Sequence, residues 1–149
     1  MTVNPALVGK VYPPTPPYTI SREKIREFAD AIKDPNPAYR CVDAARALGH
    51  PDVVGPPTIP VLITLGAEAA LFVDPESGID YGRVVHGEQR FVHERPIFAG
   101  DTLHAVLHID DIRTAGSNEL IIVRNEVRSP DDALVVTGHA VHVVRSADR

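Results

Sequence analysis

Residues 56–73 read PPTIPVLITLGAEAALFV, and no other stretch of the chain resembles this one. Its plainly polar residues are Thr58, Thr64 and Glu68, which are too scattered to form a continuous polar face. A helix over residues 58–72 would be about 22 Å long and apolar almost all the way round. Because a surface helix needs a polar face, we expect this one to be covered on every side. It is too short and too interrupted to span a bilayer.

The rest of the chain predicts a sheet that could provide this cover. A short strand at residues 18–20 is followed by an amphipathic helix over 21–32, with Ser21 as its N-cap, and a short helix is expected over 41–48. After the central helix the apolar period becomes two. That period predicts strands over residues 83–97, 102–113, 119–128 and 133–145, the last three forming an antiparallel meander.

A sheet of about five strands has an apolar face to bury, and the helix over residues 58–72 is the available partner. We therefore predict an α+β fold of the hot-dog type. Residues 1–149 would form a single domain in which a curved antiparallel sheet wraps around a central buried helix. One sheet covers only one side of that helix. The opposite apolar side predicts a dimer, either with a second copy or with a related subunit.

Composition narrows the class of protein. The hydrophobic fraction of 44% and the charged fraction of 23% are typical of a globular chain. A net charge of −5, with scattered Lys and Arg, argues against binding to nucleic acid. The single cysteine excludes an intrachain disulfide, and residues 1–10 lack the pattern of an export signal. Both features favour a cytoplasmic protein.

The segment after the first helix reads Lys-Asp-Pro-Asn-Pro-Ala-Tyr over residues 33–39. Two prolines end the helix here and make the loop rigid, and rigid loops are good positions for functional side chains. Asp, Asn and Pro are also common residues at an ordinary helix stop. Both interpretations are open from the residues alone.

This loop resembles the G-D-x-N-P-[LIV]-H motif of the MaoC-like (R-specific) hydratases and dehydratases. SREKIREFA at residues 21–29, GPPT at 55–58 and RPIFAGDTL at 95–103 extend the resemblance. They are most similar to the actinobacterial group that includes the A subunit of (3R)-hydroxyacyl-ACP dehydratase, where ACP is acyl carrier protein. The resemblance implies that Asp34 corresponds to the catalytic Asp of the family and that Tyr39 replaces its catalytic His. Asn36 matches in register and is expected to bind substrate.

The implied reaction removes water from a (3R)-hydroxyacyl thioester, carried by ACP or CoA, in fatty acid biosynthesis. It needs a base for the α-proton and an acid for the departing hydroxyl, and a His near neutral pKa suits both. A Tyr with an ordinary pKa of about 10 is a poor base at neutral pH. We therefore expect a substrate-binding subunit that is weak or inactive alone. It would form a homodimer or a heterodimer with a subunit that carries the complete Asp/His motif. The alternative is a non-catalytic acyl-thioester-binding or interaction protein.

Thr58 and Ile59 start the predicted central helix, where unpaired backbone N–H groups lie at the positive end. The resemblance implies that these groups bind the thioester carbonyl and stabilise an enolate. Thr58 could equally be a plain N-cap.

Further candidates are weaker. His86 precedes Gly87 on a predicted strand and could replace the missing base, although a lone His on a strand is more often structural. Thioesterase activity would need a carboxylate on the central helix, and Glu68 is the only one there. His139 and His142 are expected on opposite faces of a strand. With no HExxH, CxxC or carboxylate cluster, we expect no metal site and no cofactor.

Overall fold

The structure, a computed structural model, describes residues 2–147. Its helices are α1 (Arg22–Ala31), α2 (Val42–Ala47) and α3 (Val61–Val73), and its strands are β1 (Tyr18–Thr19), β2 (Val84–His93), β3 (Thr102–Ala115), β4 (Asn118–Arg128) and β5 (Leu134–Val144). Single 3-10 turns lie at Pro5–Leu7, Pro37–Tyr39 and Tyr81–Arg83. A membrane-crossing helix, judged by length and apolarity, does not occur within residues 2–147.

The strands form one antiparallel sheet in the order β1-β3-β4-β5-β2. The meander of β3, β4 and β5 is confirmed, and β2 lies beyond it at the edge next to β5. Burial alternates residue by residue along β4, as the period of two predicts. The sheet curls into a half-barrel around α3, which confirms the predicted hot-dog architecture.

Strand β2 contains a bulge where the register shifts between His86 and Glu88. A Cβ atom at Gly87 would lie 3.1 Å from Val143 Cγ2 and 3.2 Å from the Val141 carbonyl oxygen. The close approach of β5 therefore favours glycine at this position, as the sequence indicated. The bulge sets the orientation of the neighbouring His86.

Helix α3 packs against the concave face of the sheet. Its buried residues are Ile63, Thr64, Ala67, Glu68 and Leu71. Leu65 and Val73 point away from the sheet and are 48% and 79% exposed. The helix thus buries both apolar and polar residues against the sheet and also exposes apolar ones on its outer face, unlike an ordinary surface helix with a polar outer face. The outer face is the side for which the sequence predicts a partner.

The start of α3 differs from the prediction. The helix begins at Val61, three residues after Thr58, with Pro60 at its N-cap position and no side-chain cap. The preceding residues form a tight turn, in which Ile59 N donates to the Pro56 carbonyl oxygen (2.9 Å) and Val61 N donates to that of Thr58 (3.2 Å). Proline at position 60 has no N–H group and fits only at the first turn of a helix, so the regular hydrogen-bond ladder starts after it.

Helix α1 matches its prediction closely. Ser21 Oγ accepts a hydrogen bond from Lys24 N at 3.0 Å, and Ile25 and Ala29 are fully buried. The helix ends at Ala31, after which Lys33 takes a positive φ of 58°. This reversal directs the chain into the segment at residues 34–39.

The N-terminal arm, residues 2–12, is held in place by the carboxylates of Glu119 and Asp74. Glu119 accepts hydrogen bonds from Thr2 N (3.0 Å) and Val3 N. Asp74, at the end of α3, accepts from Lys10 Nζ and Tyr12 Oη, each at 2.6 Å. The Lys10 ammonium and the Tyr12 hydroxyl lower the pKa of Asp74 to about 2. The arm is therefore tied to both the central helix and the sheet.

Candidate functional site

A cavity of about 410 Å³ lies between the loop after α1 and the end of β2. Its walls come from three segments, within residues 36–39, 48–57 and 93–97. Of the residues predicted from the sequence, Asn36 and Tyr39 line it directly, and Thr58 follows the lining residue Pro57. The volume is typical of a small-molecule site, and the mixture of apolar walls with a few polar groups is too.

Local hydrogen bonds hold the loop at residues 34–39 rigid. Asp34 Oδ1 accepts from Asn36 N at 3.1 Å, and Asn36 Oδ1 accepts from Ala38 N at 3.0 Å. These bonds start the 3-10 turn at Pro37–Tyr39 and turn Tyr39 into a buried position, 7% exposed. The Asp34 and Asn36 side chains therefore fix the aromatic ring against the cavity, whereas α1 itself ends at Ala31, before the prolines that were predicted to end it.

Burial raises the pKa of Tyr39, and the negative charge of Asp34 raises it further, while the Asn36 side chain partly offsets both effects. The phenol is consequently protonated at neutral pH. In this state it can donate a hydrogen bond to a bound oxygen but cannot accept a proton. The electrostatic effect of Asp34 also indicates that the two predicted residues share one local environment.

Two backbone N–H groups before α3, those of Thr58 and Ile59, were predicted to bind the thioester carbonyl, and they differ in their hydrogen bonding. Ile59 N is already bonded to the Pro56 carbonyl oxygen, and the Ile59 side chain is fully buried. Thr58 N has no hydrogen-bond acceptor within residues 2–147. His93 Nε2 donates to the Pro57 carbonyl oxygen at 2.8 Å and so fixes the Pro57–Thr58 peptide. Of the two predicted N–H groups, only that of Thr58 is available to a ligand.

Three titratable side chains in the cavity were missed by the sequence analysis: His50, His93 and Glu94. His50 packs against Phe98 with ring centroids 5.6 Å apart. His93 uses Nε2 for the Pro57 contact, which leaves Nδ1 as a possible proton acceptor. The only signal in the sequence was position: His50 follows the glycine that ends α2, and His93 lies two residues before the RPIFAGD turn.

Arg95 also lines the cavity, but its charge is engaged. Its guanidinium forms two hydrogen bonds with the Asp101 carboxylate, at 2.8 and 2.9 Å, and Phe98 N donates to the same carboxylate. The turn at residues 95–101 thus has a structural role in holding one wall of the cavity.

His86 does not line this cavity. It lies instead beside Glu68 and His142, and the ligand atoms of the three residues fall within 4.8 Å of one another. Glu68 lies on the side of α3 that faces the sheet and is fully buried. Asn125 Nδ2 donates to its Oε1 (2.7 Å) and His142 Nε2 donates to its Oε2 (2.9 Å). The carboxylate that a thioesterase would need is therefore already bound by protein groups. His139 lies on the opposite face of β5 from His142, as predicted.

Comparison with known proteins identifies the family. The sequence profile described as "FAS1-like, dehydratase domain region" matches residues 6–138. The chain belongs to this family. A UPF0336 protein of Saccharopolyspora erythraea is 48% identical over 145 residues, covering 97% of this chain and 93% of the relative. A UPF0336 protein of Streptomyces coelicolor is 47% identical over 148 residues, or 99% of each chain.

Solved structures agree with the family and the fold. A truncated HadBC (3R-hydroxyacyl-ACP dehydratase) complex from Mycobacterium tuberculosis is 28% identical, with a TM-score of 0.84 over 96% of this chain and 99% of that one. A MaoC-like dehydratase is 33% identical, with a TM-score of 0.87 over 96% of this chain and 43% of that one. These homologues support a dehydratase-type role for the FAS1-like chain. The HadBC structure is a complex of subunits, which supports a hot-dog partner.

Proposed function

We propose that this chain is the substrate-binding subunit of a (3R)-hydroxyacyl-thioester dehydratase and that a partner subunit supplies the complete Asp/His pair. The cavity beside Asn36 and Tyr39 would receive the acyl thioester. The family supports a dehydratase-type role. We add that two hot-dog chains would share it, with this chain binding the substrate and its partner supplying the catalytic pair.

The observation that carries the proposal is the side chain at position 39. By its resemblance to the family motif Asp34 would correspond to the catalytic Asp, and its loop partner Tyr39 is a buried phenol whose pKa is raised. Dehydration requires a group that exchanges protons near neutral pH, and a protonated phenol of high pKa does this poorly. On this proposal the chain would supply only half of a catalytic pair.

The remaining groups are suited to binding. Thr58 N would donate to the thioester carbonyl, with His93 holding its peptide in place. Such a fixed backbone donor stabilises developing negative charge on oxygen because it needs no reorganisation. Asn36 and the Tyr39 hydroxyl would contact polar atoms of the substrate, and the apolar walls would hold the acyl chain.

The proposed setting is fatty acid biosynthesis in the cytoplasm, with ACP or CoA as the carrier of the acyl group. The exposed apolar face of α3, which includes Leu65 and Val73, would pack against the partner, a MaoC-type subunit with the complete motif or a second copy. A second candidate function is a purely acyl-thioester-binding protein without any role in dehydration. The protonated phenol at position 39 is compatible with this alternative too, and the similarity to HadBC, a dehydratase complex of hot-dog subunits, supports the division of labour over it.

The test is an assay of the purified chain alone for hydration of crotonyl-CoA and longer trans-2-enoyl thioesters, together with binding of a saturated acyl-CoA. We expect measurable binding and little turnover. Robust turnover that survives Tyr39→Phe would overturn the division of labour. Restoration of turnover by a partner with the complete motif separates the dehydratase subunit from the purely binding alternative.

A further inference from the structure

The polar cluster beneath α3 has no part in the proposed reaction. Glu68 and His142 are both almost fully buried, and His86 lies exposed on the edge strand as the cross-strand neighbour of His142. A buried carboxylate–imidazole pair is a poor source of stability compared with apolar side chains of the same volume. The presence of this pair between the mostly apolar α3 and the sheet therefore suggests a purpose other than folding.

Against the expectation from the sequence, which predicted no metal site, we propose that Glu68, His86 and His142 form a binding site for a divalent transition-metal ion of the Zn²⁺ type. One carboxylate and two imidazoles are a donor set that such ions favour, with a remaining position open to water or another ligand. This inference is independent of the proposed dehydratase role.

The distances fit such a site after small movements. Ligand atoms about 2.0–2.1 Å from a tetrahedral metal lie roughly 3.3–3.4 Å from one another. Glu68 Oε2 and His142 Nε2 are 2.9 Å apart, so they would separate slightly. The ligand atom of His86 lies within 4.8 Å of the others, so this side chain would move inward by at most about 1.4 Å. Because His86 is exposed, its side chain is free to make that movement.

The groups around the three ligands already orient them. His86 Nε2 donates to the Glu88 carbonyl oxygen at 3.0 Å, which leaves Nδ1 with the lone pair that binds a metal. Asn125 Nδ2 holds Glu68 Oε1 at 2.7 Å. Hydrogen bonds of this kind to ligating imidazoles and carboxylates are the usual outer support of protein metal sites.

The surroundings provide shielding and access. The Phe72 ring meets the His142 ring edge-on at 5.0 Å and covers one side of the cluster. Thr64 Oγ1, Asn125 Oδ1 and His142 Nδ1 are buried and have no hydrogen-bond partner among residues 2–147. Buried polar atoms without a protein partner indicate a place for ordered water or a further polar group beside the cluster. His142 Nδ1 is not itself a ligand of the proposed metal, which Nε2 would bind. A metal bound at His142 Nε2 takes the place of the Nε2 proton, and the neutral imidazole then carries its proton on Nδ1, so the ring changes tautomer without a net loss of a proton.

The experiment uses tag-free, chelator-treated full-length chain titrated with Zn²⁺ by calorimetry, with Co²⁺ as a spectroscopic probe. We expect one Zn²⁺ per chain and a rise in Tm of roughly 5 °C when the metal is in large excess over its Kd. His86→Ala, an exposed substitution that does not endanger folding, should weaken binding by at least about tenfold and abolish the Tm shift. Glu68→Gln should weaken it similarly, and His139→Ala on the opposite face of the sheet should leave it unchanged.

Absence of stoichiometric Zn²⁺ binding would overturn the proposal. Equal losses in His86→Ala and His139→Ala would overturn it as well, because they would indicate scattered surface binding. Co²⁺ absorption bands of a low-symmetry, four-coordinate site that disappear in His86→Ala would support it independently of stability.

Discussion

If the chain is the binding subunit that we propose, Tyr39→His should make it catalytically active on its own. For a phenol with an ordinary pKa of about 10, roughly one molecule in a thousand is ionised at pH 7. Burial and the Asp34 charge raise the pKa of Tyr39, so the fraction is smaller still. An imidazole with an ordinary pKa of about 6.5 would be neutral in roughly three quarters of the molecules at pH 7. The gain in available base is thus about a thousandfold.

We expect kcat/KM for hydration of crotonyl-CoA by the chain alone to rise by about 10²–10³, within the usual contribution of general acid–base catalysis. The smaller side chain at a site that is 7% exposed should lower the free energy of unfolding by about 1–3 kcal/mol. The assay follows the loss of enoyl-thioester absorbance, with thermal melts to confirm folding. Tyr39→Phe is the matched control and should stay at the wild-type level. A folded Tyr39→His variant no faster than Tyr39→Phe would refute the assignment of Asp34 and position 39 as a catalytic pair.

Three further predictions concern the outer face of α3, the contact between Asp74 and the N-terminal arm, and the cavity. Leu65→Glu on the outer face of α3 should weaken dimerisation by at least about a hundredfold in analytical ultracentrifugation, since it would place an unpaired charge in an apolar interface. An unchanged dimer would show that α3 is not the interface. Asp74→Asn should lower the free energy of unfolding, because it removes the ion pair with Lys10. The loss should be only about 1 kcal/mol, since Lys10 is partly exposed and solvent screens the pair. The depressed pKa of Asp74 makes this contribution present above pH 3.8 and lost as pH falls through about 2, so the difference from wild type should vanish in acid melts. Glu76 is a more distant neighbour of Lys10, at 3.7 Å, so Glu76→Gln should lower the free energy of unfolding by less. His93→Ala should weaken binding of a saturated acyl-CoA by about three- to tenfold without a large change in Tm, and His93→Gln should recover part of the loss. Equal affinities of the wild type, His93→Ala and His93→Gln for the acyl-CoA would show that His93 takes no part in binding.

The fold was largely predictable because its determining features are local and periodic. The apolar run at residues 56–73 indicated a helix that must be covered, and the period of two after residue 83 indicated the strands. The start of α3 was not predicted, because the proline at position 60 begins the regular ladder only after a turn. The position of β2 beside β5 depends on pairing between distant segments, which no local pattern specifies.

The candidate site was predictable only in part, for a similar reason. Asn36 and Tyr39 line the cavity and lie with Asp34 in one short loop, which was singled out by its resemblance to the MaoC-like motif. His50 and His93 reach the same cavity from separate segments, and nothing in their local sequence indicates that they meet. Glu68 and His142 are brought together by the packing of α3 on β5. Their chemistry was therefore invisible as a motif.

The central claim is that this chain binds the acyl thioester while another subunit completes the catalytic pair. The most direct measurement is the hydration rate of a trans-2-enoyl thioester by the purified chain alone, compared with its complex with a MaoC-type subunit that carries the complete Asp/His motif. We predict that the complex is at least about a hundredfold faster and that this gain disappears when the motif His of the added subunit is replaced. Equal rates for the chain alone and for the complex would contradict the claim.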